Sequence, residues 1–341
     1  MEYRPLGRTG VQVSPLCLGA MMFGPWGNND TADSIRIIHH ALDAGINFID
    51  TADVYSGGAS EEIVGQALES RRDDVFLATK FFMPMSEDPN QRGGSRRWII
   101  RAVENSLRRL NTDYIDLYQV HRPSPDTDVE ETLVALTDLV RQGKVRYIGS
   151  SSYSGSQIVE AQWASRDRNL ERFVTEQPPY SILVRGIEGD ILPTVQRHGM
   201  GTLTYSPLSG GWLSGRWRKD SASAPTSSAR PSTRFDMTSP ANQRKLDIVE
   251  ELAQLAEQAG ISLIELAIAF VINHPGVTSA IVGPHTMEQL ESYLPAAEIA
   301  LSAEVLDRID KLVAPGVTVN PDDNSYGAHE LTPLARRRTR P

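Results

Sequence analysis

Four ionisable side chains stand at or just after the ends of apolar stretches, and their types suit proton-transfer chemistry. Asp50 ends one apolar stretch and Tyr55 follows on the next loop, while Lys80 and His121 each end a later stretch. If these stretches are parallel strands of one barrel, their carboxyl ends share a face. Barrel enzymes place their active sites on that face. The spacing therefore predicts that the four side chains meet.

The chemistry that this set favours is protonation of a carbonyl oxygen. A tyrosine hydroxyl has a pKa of ~10 and is a poor donor at neutral pH. A nearby ammonium favours the phenolate, so we expect Lys80 to lower the pKa of Tyr55, with Asp50 holding Lys80 charged and in place. A neutral His121 would hydrogen-bond the substrate oxygen. Such a general acid acts while a hydride reaches the carbon. No side chain supplies a hydride, so a nicotinamide cofactor is implied.

Each of these residues also has an ordinary structural explanation. Asp50 could cap the next loop, Lys80 could be a solvated surface lysine, and His121 could be a structural histidine. Tyr55 could be a loop tyrosine beside serine and glycines. Their occurrence together on successive strand ends favours the catalytic interpretation.

The elements that must position these residues alternate regularly along the chain. Apolar strands alternate with amphipathic helices, and the count of eight strands predicts an α/β fold, a (β/α)8 TIM barrel, rather than an open doubly wound sheet. An N-terminal hairpin and extra C-terminal helices complete it. The predicted barrel strands are 16–19, 46–50, 75–80, 115–121, 145–149, 173–177, 201–205 and 279–282.

Residues 1–320 are predicted to form a single domain, with two segments that stand apart from the alternation. Residues 214–240 are rich in Ser, Pro and Arg and have no apolar period. This stretch is either a disordered linker or a functional loop over the barrel mouth. Residues 321–341 are expected to be a mobile tail.

Composition narrows the classes of partner. The chain has 341 residues, and 34 basic against 43 acidic side chains give a net charge of −9. This charge provides no electrostatic reason to expect nucleic acid or an anionic membrane. The single cysteine, Cys17, cannot form an internal disulfide and is expected in a buried strand. The N-terminus lacks a signal-peptide core, and the longest apolar run, 267–272, is far below the ~20 residues of a membrane helix. We therefore expect a cytoplasmic protein.

Competing chemistries have weaker support in the sequence. The seven histidines are scattered without metal-ligand spacing, so no metal site is predicted. No G-x-G-x-x-G follows a strand, and neither a phosphate-binding P-loop nor a G-x-S-x-G motif is present. A Rossmann site, a P-loop nucleotide site and a serine hydrolase are therefore not indicated.

Several motifs, in their order and spacing, resemble the aldo-keto reductase family over nearly the whole chain. In chain order they are Asp50-Thr51-Ala52-Asp53-Val54-Tyr55, Ala78-Thr79-Lys80, Tyr118-Gln119-Val120-His121, Arg146-Tyr147-Ile148-Gly149-Ser150-Ser151, Glu176-Gln177-Pro178-Pro179-Tyr180-Ser181 and Tyr205-Ser206-Pro207-Leu208-Ser209-Gly210-Gly211. The resemblance implies a barrel that binds an extended nicotinamide dinucleotide, usually NADPH, without a Rossmann domain. It implies Tyr55 as acid/base, with Asp50, Lys80 and His121 completing a tetrad. The overall sequence pattern is similar to that of the branch that includes the potassium-channel β subunits and many bacterial reductases.

The resemblance also implies the cofactor contacts. Ser151, Ser152 and Gln177 match positions that hold the nicotinamide carboxamide, and Tyr205 matches the aromatic residue that stacks on the ring. Positions 206–210 and Arg216 match the loop that holds the pyrophosphate, which residues 214–240 would cover. The other expected contacts are Gly19, Met21, Asp50, Ser206, Pro207, Leu208, Gly210, Gly283, His285 and Gln289.

Some positions depart from the family pattern. Ser152 stands where the family usually has asparagine. His285 and Gln289 stand where basic residues often meet the 2′-phosphate, and a histidine is mostly neutral at pH 7. Ser292 and Tyr293 replace the glutamate and asparagine that commonly meet adenine. NADPH is the predicted cofactor, and NADH stays possible.

The substrate pocket is predicted from loop aromatics near the tetrad. Phe23, Trp26 and Phe81, with Phe82 and Trp212, could wall an apolar pocket around Tyr55 and His121, or could pack on the barrel rim. Arg122 could meet an anionic substrate or only solvent. Three functions remain open: a reductase that acts on an aldehyde or ketone, a dinucleotide-binding regulatory or sensor protein with slow chemistry, and a non-catalytic barrel in which these residues coincide. The sequence does not indicate an oligomeric state.

Overall fold

The alternation of strands and helices closes into a parallel barrel. The computed structural model describes residues 1–219, 233–324 and Arg337. In these residues eight parallel strands pair in chain order, and the last pairs with the first, with Ile281 opposite Cys17. The barrel strands are β3 Leu16–Gly19, β4 Phe48–Asp50, β5 Phe76–Phe81, β6 Ile115–Val120, β7 Val145–Ser151, β8 Phe173–Gln177, β9 Gly201–Tyr205 and β10 Ser279–Val282. The predicted (β/α)8 barrel is confirmed.

A short hairpin lies before the barrel, as the sequence predicts. Strands β1 (Arg4–Pro5) and β2 (Gln12–Val13) pair antiparallel. Leu6 and Val13 are fully buried against apolar strand residues of the barrel. The hairpin therefore contributes to the barrel core.

The helices surround the barrel, and several begin at side-chain caps. Ser95 accepts a hydrogen bond from the backbone N–H of Trp98, which confirms the predicted cap. Ser154 and Ser262 each begin a helix with a complete capping box. The helices are α1 Thr31–Asp43, α2 Ala59–Ala67, α3 Arg96–Leu110, α4 Val129–Arg141, α5 Gly155–Arg168, α6 Ile191–His198, α7 Pro240–Gln258, α8 Leu263–Ile272, α9 Met287–Tyr293 and α10 Ala303–Leu312.

Strand alternation separates the apolar residues into two groups. A smaller cluster, which includes Cys17, Phe48 and Leu117, comes from strands and the hairpin and fills the barrel interior. A larger cluster joins the outward side chains of the strands to the helices. Because successive strand residues point to opposite faces, Asp50 shares the inward face of β4 with Phe48.

Two predicted boundaries differ from the structure in ways that matter for the site. Strand β5 continues to Phe81, so Lys80 lies one residue inside the strand rather than at its predicted end. The predicted mobile tail begins too early, because Pro321–Asp323 forms a short 3-10 turn with Asp323 buried. Residues 220–232 of the predicted covering loop, and residues 325–336 and 338–341 of the tail, lie outside the described residues.

No described helix has the length and apolar composition to cross a membrane by itself. Helices α7 and α8 reach those criteria only as a pair bent by 92°.

Candidate active site

The structure brings the four predicted tetrad residues together at the carboxyl ends of the strands. The Lys80 ammonium is fully buried and donates to Asp50 Oδ2 at 2.5 Å, to the Thr51 carbonyl at 2.8 Å and to the Tyr55 hydroxyl at 3.1 Å. The His121 ring lies edge-on to the Tyr55 ring, with their centroids 5.7 Å apart. The phenol oxygen is thus held by a charged donor beside an imidazole.

Backbone contacts fix the loop that carries Tyr55. The N–H of Thr51 donates to the Ala78 carbonyl at 2.9 Å, and the N–H of Asp53 donates to the Lys80 carbonyl at 3.0 Å. After Tyr55, the residues Ser56, Gly57 and Gly58 take positive φ angles of 52°, 67° and 103°, a conformation that favours glycine. The chain can therefore turn at once into α2, and Tyr55 stays over Lys80.

Two glutamines hold Asp50, and their role is not evident from the motif alone. Gln119 Nε2 and Gln177 Nε2 donate to Asp50 Oδ1 at 3.1 Å and 3.0 Å. Gly149 leaves the space for Gln119, because a Cβ there would lie 3.3 Å from the Gln119 Cγ and 2.2 Å from Thr175 Oγ1. Gln119 was missed by the sequence reasoning. It could have been noticed as a polar residue near the end of the mainly apolar strand β6.

The electrostatics agree with the expected charge of Lys80 and with a neutral His121. Burial by itself lowers the pKa of Lys80, but the charge of Asp50, the nearby Tyr55 and the hydrogen bonds to both together outweigh burial and raise it above its ordinary value. Burial, with the positive charges of Lys80 and Arg122, holds the pKa of His121 well below its usual 6.5. His121 is therefore neutral at physiological pH.

The expected lowering of the Tyr55 pKa is wrong for this structure. Burial raises the pKa of Tyr55 above its ordinary value, although Lys80 acts in the opposite direction. Asp50 raises it as well, because its charge lies against Lys80 and offsets part of the ammonium field. Tyr55 is therefore held protonated, which is the form that can donate a proton.

The residues expected around the nicotinamide line one side of the tetrad. Ser151 Oγ donates to the Gln177 carbonyl at 2.9 Å. Ser152 has a positive φ of 65°, and its Oγ lies 3.3 Å from the Tyr205 hydroxyl. Arg122 Nη1 donates to Ser152 Oγ at 2.9 Å and to the His121 carbonyl at 2.8 Å. Arg122 thus links the two neighbouring strand ends beside Tyr55.

Glu176 is hydrogen-bonded to the residues on either side of Ser151 and Ser152. It is fully buried; its carboxylate accepts a hydrogen bond from Ser150 Oγ and another, at 3.0 Å, from the N–H of Tyr153. Burial raises its pKa from 4.5 to about 7, although these donors act in the opposite direction. The turn that carries Ser151 and Ser152 is therefore tied to a carboxyl group that titrates near neutrality.

The expected pyrophosphate loop has the backbone of an anion-binding turn. Ser206, Ser209, Gly210 and Gly211 all have positive φ angles, and Pro207 and Leu208 lie among them. Residues of this kind occur in turns that bind anions, although the N–H groups of Ser209 and Gly211 donate within this turn, to the carbonyls of Ser206 and Leu208 at 2.8 Å and 3.0 Å. The Ser209 hydroxyl is buried and has no hydrogen-bond partner among the described residues. The turn therefore fits a phosphate group.

The remaining expected contacts gather at the ends of β3 and β10. Gly19 is packed so closely that a Cβ there would lie 2.7 Å from Ile281 Cγ2, whereas a Cβ at Gly283 would make an ordinary contact with the Gly19 carbonyl oxygen at 3.6 Å. Gln289 Oε1 accepts the N–H of His285 at 2.7 Å. Arg216 is close enough to contribute, after burial, to a lowered pKa of His285. The charge of Arg216 therefore acts on His285, and Met21 is exposed on the neighbouring loop.

Asn28 is a further residue that the sequence did not indicate. Its Nδ2 donates to Asp33 Oδ2 at 2.8 Å and to the His285 carbonyl at 3.1 Å. It thereby ties the loop that contains Met21 to the end of β10.

Only part of the predicted aromatic wall lies at the site. Trp26 is 39% exposed, with its ring centroid 6.1 Å from that of Tyr55. Phe81 is wrong as a pocket residue: it is fully buried and packs on Tyr118, since it follows the inward Lys80 and must point outward. Phe23 and Trp212 are also fully buried in the core, while Phe82 is partly buried.

Comparison with known proteins agrees with this geometry. The sequence model of the aldo/keto reductase family matches residues 15–314. The chain belongs to the aldo/keto reductase family. Proteins of this family generally use nicotinamide cofactors.

Curated relatives cover almost the whole chain. The chain is 40% identical to the uncharacterized oxidoreductase YrpG of Bacillus subtilis over 324 residues, which are 92% of this chain and 96% of the relative. It is 37% identical to the aldo-keto reductase YhdN of the same organism, with 86% and 87% covered. It is 35% identical to a probable voltage-gated potassium channel subunit beta of Oryza sativa, with 92% and 97% covered. Family and relatives together identify the chain as an oxidoreductase.

Proposed function

We propose that this protein reduces an aldehyde or ketone to the alcohol with NADPH, and that Tyr55 is the proton donor. The observation that carries the proposal is the position of the Tyr55 hydroxyl, 3.1 Å from a buried Lys80 that is paired with Asp50. A protonated phenol beside a fixed ammonium suits donation of a proton to a carbonyl oxygen.

Each residue of the tetrad has a distinct role in this proposal. The Tyr55 O–H bond breaks as its proton passes to the carbonyl oxygen, and the phenolate that remains is stabilised by Lys80. Asp50 keeps Lys80 charged and in position. Neutral His121 donates a hydrogen bond to the same carbonyl oxygen and so orients the substrate. Trp26 beside Tyr55 and Arg122 beside His121 border the substrate.

The residues of the chain fit a nicotinamide dinucleotide, which supplies the hydride when bound. Ser151, Ser152, Gln177 and Tyr205 would hold the nicotinamide end. The positive-φ turn at 206–211 would hold the phosphates. Arg216, whose charge acts on His285, favours a 2′-phosphate and thus NADPH over NADH, because its guanidinium can present positive charge to the phosphate. A bound phosphate would raise the pKa of His285.

The proposal is tested by Tyr55→Phe. We expect reduction of a test aldehyde to fall by about 10²- to 10⁴-fold, the usual contribution of a general acid. Affinity for NADPH, measured from the quenching of tryptophan emission, should change little. Tyr3→Phe, at an exposed tyrosine, is the matched control. Normal turnover by Tyr55→Phe would remove Tyr55 as the donor, and no binding of NADPH or NADH by the wild-type protein would reject the proposal.

A second candidate is a dinucleotide-binding regulatory or sensor protein with slow chemistry. It is favoured by the relatives that are named as potassium-channel β subunits, such as that of Oryza sativa. Both candidates require dinucleotide binding, so turnover distinguishes them. The measurement is the single-turnover rate at which a panel of aldehydes oxidises bound NADPH. A rate far below ~1 s⁻¹, the low end of typical enzyme turnover, would favour the second candidate.

We further propose that residues 1–320 act as one domain in the cytoplasm on a small-molecule substrate. The buried single cysteine and the net charge of −9 support this setting, and neither favours nucleic acid or an anionic membrane as a partner.

A further inference from the structure

Helix α5 presents two apolar side chains to solvent. Trp163 is 61% exposed, more than any other large apolar side chain of the described residues, and Val159, one turn earlier, is 46% exposed. Scattered apolar residues are ordinary on protein surfaces. This pair differs from them because a groove lies directly beside Trp163.

The groove lies between α5 and the loop that joins β6 to α4. Its volume is about 340 Å³, which falls within the range of roughly 300–1,000 Å³ that is usual for ligand clefts. Loop residues form one side of the groove and α5 forms the other. We call it the α5 groove; its lining includes Pro123, Thr127, Asp128, Gln157, Glu160 and Trp163.

The charged side chains of the α5 groove are acidic. Of the described residues, Asp128, Glu130 and Glu160 line it, and no lysine or arginine does. Glu130 has a cation already, because its Oε2 lies 3.5 Å from Arg168 Nε. Asp128 precedes α4 but its side chain does not cap that helix. Neither Asp128 nor Glu160 forms an ion pair within the described part of the chain.

This combination of groups fits a partner with arginine side chains. A guanidinium can pair with carboxylates and can also stack on the face of an indole. Trp163 offers the indole, and Asp128 and Glu160 offer carboxylates without a cation. Tryptophan and arginine are also the residue types that most often dominate the binding energy of protein interfaces.

The chain itself contains a segment with this chemistry. Residues 336–340 have the sequence Arg-Arg-Arg-Thr-Arg, and no other five-residue stretch of the sequence has four basic residues. Arg337, which belongs to the described residues, is exposed. Within one chain the α5 groove is open and Arg337 is exposed, so their pairing would join two copies of the chain.

We propose that the α5 groove binds residues 336–340 of a second copy of this chain. Each copy presents both the groove and the arginines, so two copies can exchange the same contact symmetrically. Two simultaneous contacts strengthen a pairing whose exposed ion pairs are individually weak. Because these charges are exposed, the association weakens as the salt concentration rises. The interface is independent of the proposed reductase chemistry.

The test is the dimer dissociation constant of the full chain, measured by sedimentation equilibrium at ~0.02 M and ~0.5 M salt. The wild-type protein should dimerise at the lower concentration and dissociate at the higher one. Trp163→Ser and Glu160→Lys should each weaken the dimer by roughly tenfold or more, the scale of a central interface residue. Glu251→Lys makes the same charge change at an exposed position of α7 and should have little effect.

A charge exchange identifies the occupant of the groove. Glu160→Lys and Arg337→Glu each place like charges across the proposed contact, so each alone should weaken the dimer. Together they restore opposite charges and should recover most of the wild-type affinity, a coupling that independent sites do not show. A variant without residues 336–341 should be a monomer. Urea unfolding checks that every variant is as stable as the wild-type protein, as expected for exposed positions.

Other results would overturn the inference. A wild-type protein that stays monomeric at low salt has no such interface. A dimer that survives Trp163→Ser, or the loss of residues 336–341, is formed by a different surface. A monomer in which the loss of residues 336–341 changes the tryptophan emission, but not when Trp163 is replaced by phenylalanine, would assign the groove to the segment of the same chain.

Discussion

Glu176 provides a test of the site that uses stability rather than activity. Its carboxyl group is fully buried beneath the turn that carries Ser151 and Ser152, and burial raises its pKa from 4.5 to about 7. The folded protein therefore binds a proton between pH 4.5 and pH 7 that the unfolded chain has already lost. The stabilisation from this proton is complete below pH 4.5 and is lost as the pH rises through about 7.

The magnitude follows from the two pKa values. They differ by 7 − 4.5, or about 2.5; at ~1.36 kcal/mol for each pKa unit this corresponds to about 3 kcal/mol. Glu176→Gln keeps the shape of the side chain and cannot ionise. The free energy of unfolding of the variant minus that of the wild-type protein should therefore grow by about 3 kcal/mol between pH 4.5 and pH 8.

The measurement is urea unfolding of both proteins at pH 4.5, 5.5, 6.5 and 8. Glu171→Gln, at an exposed position a few residues earlier, is the matched control and should show no comparable growth. A difference between Glu176→Gln and the wild-type protein that stays constant over this range would refute the assignment of a raised pKa to Glu176.

Three further predictions concern the tetrad and the residues that hold it. Lys80→Met should lower the free energy of unfolding by about 3 to 5 kcal/mol in urea unfolding, because it leaves Asp50 buried without its cation; adding Asp50→Asn should recover stability but not turnover, and recovery of turnover would contradict the role of Lys80. Gln119→Leu removes one donor to Asp50 and should lower stability by about 1 to 3 kcal/mol together with kcat, whereas unchanged kcat would show that this contact is dispensable. The pH–rate profile should show no transition near pH 6.5 that depends on His121, because burial, Lys80 and Arg122 hold the pKa of His121 well below that value; a transition near pH 6.5 that disappears in His121→Gln would contradict a neutral imidazole.

The interior of the barrel shows how far strand alternation could have improved the sequence prediction. Lys80 must point inward for the tetrad to form, and the next residue of a strand points to the opposite face. Phe81 could therefore have been assigned to the helix layer from the sequence, where it packs on Tyr118. Phe23 and Trp212 lie on loops, for which no such periodicity exists, and their burial depends on neighbours distant in sequence.

The pKa of Tyr55 and the buried ion pairs of Asp323 could not be predicted from the sequence for a different reason. The sign of the change at Tyr55 depends on how burial, Lys80 and Asp50 balance, and these effects oppose one another over distances that only the folded chain sets. Asp323 was predicted to lie in a mobile tail, because its partners Lys245 and Arg234 are 78 and 89 residues away along the chain. Local composition carries no signal of such a pairing.

The sequence by itself determined the barrel, its strand order and the residues of the tetrad. Apolar periodicity and helix caps are local properties, and parallel strands joined by helices place successive strand ends on one face. The tertiary structure alone decided which groups hold Asp50, which aromatic residues reach the site and how each ionisable group is charged. Those properties arise from distances between segments remote in the chain, and burial and Coulomb interactions depend steeply on such distances.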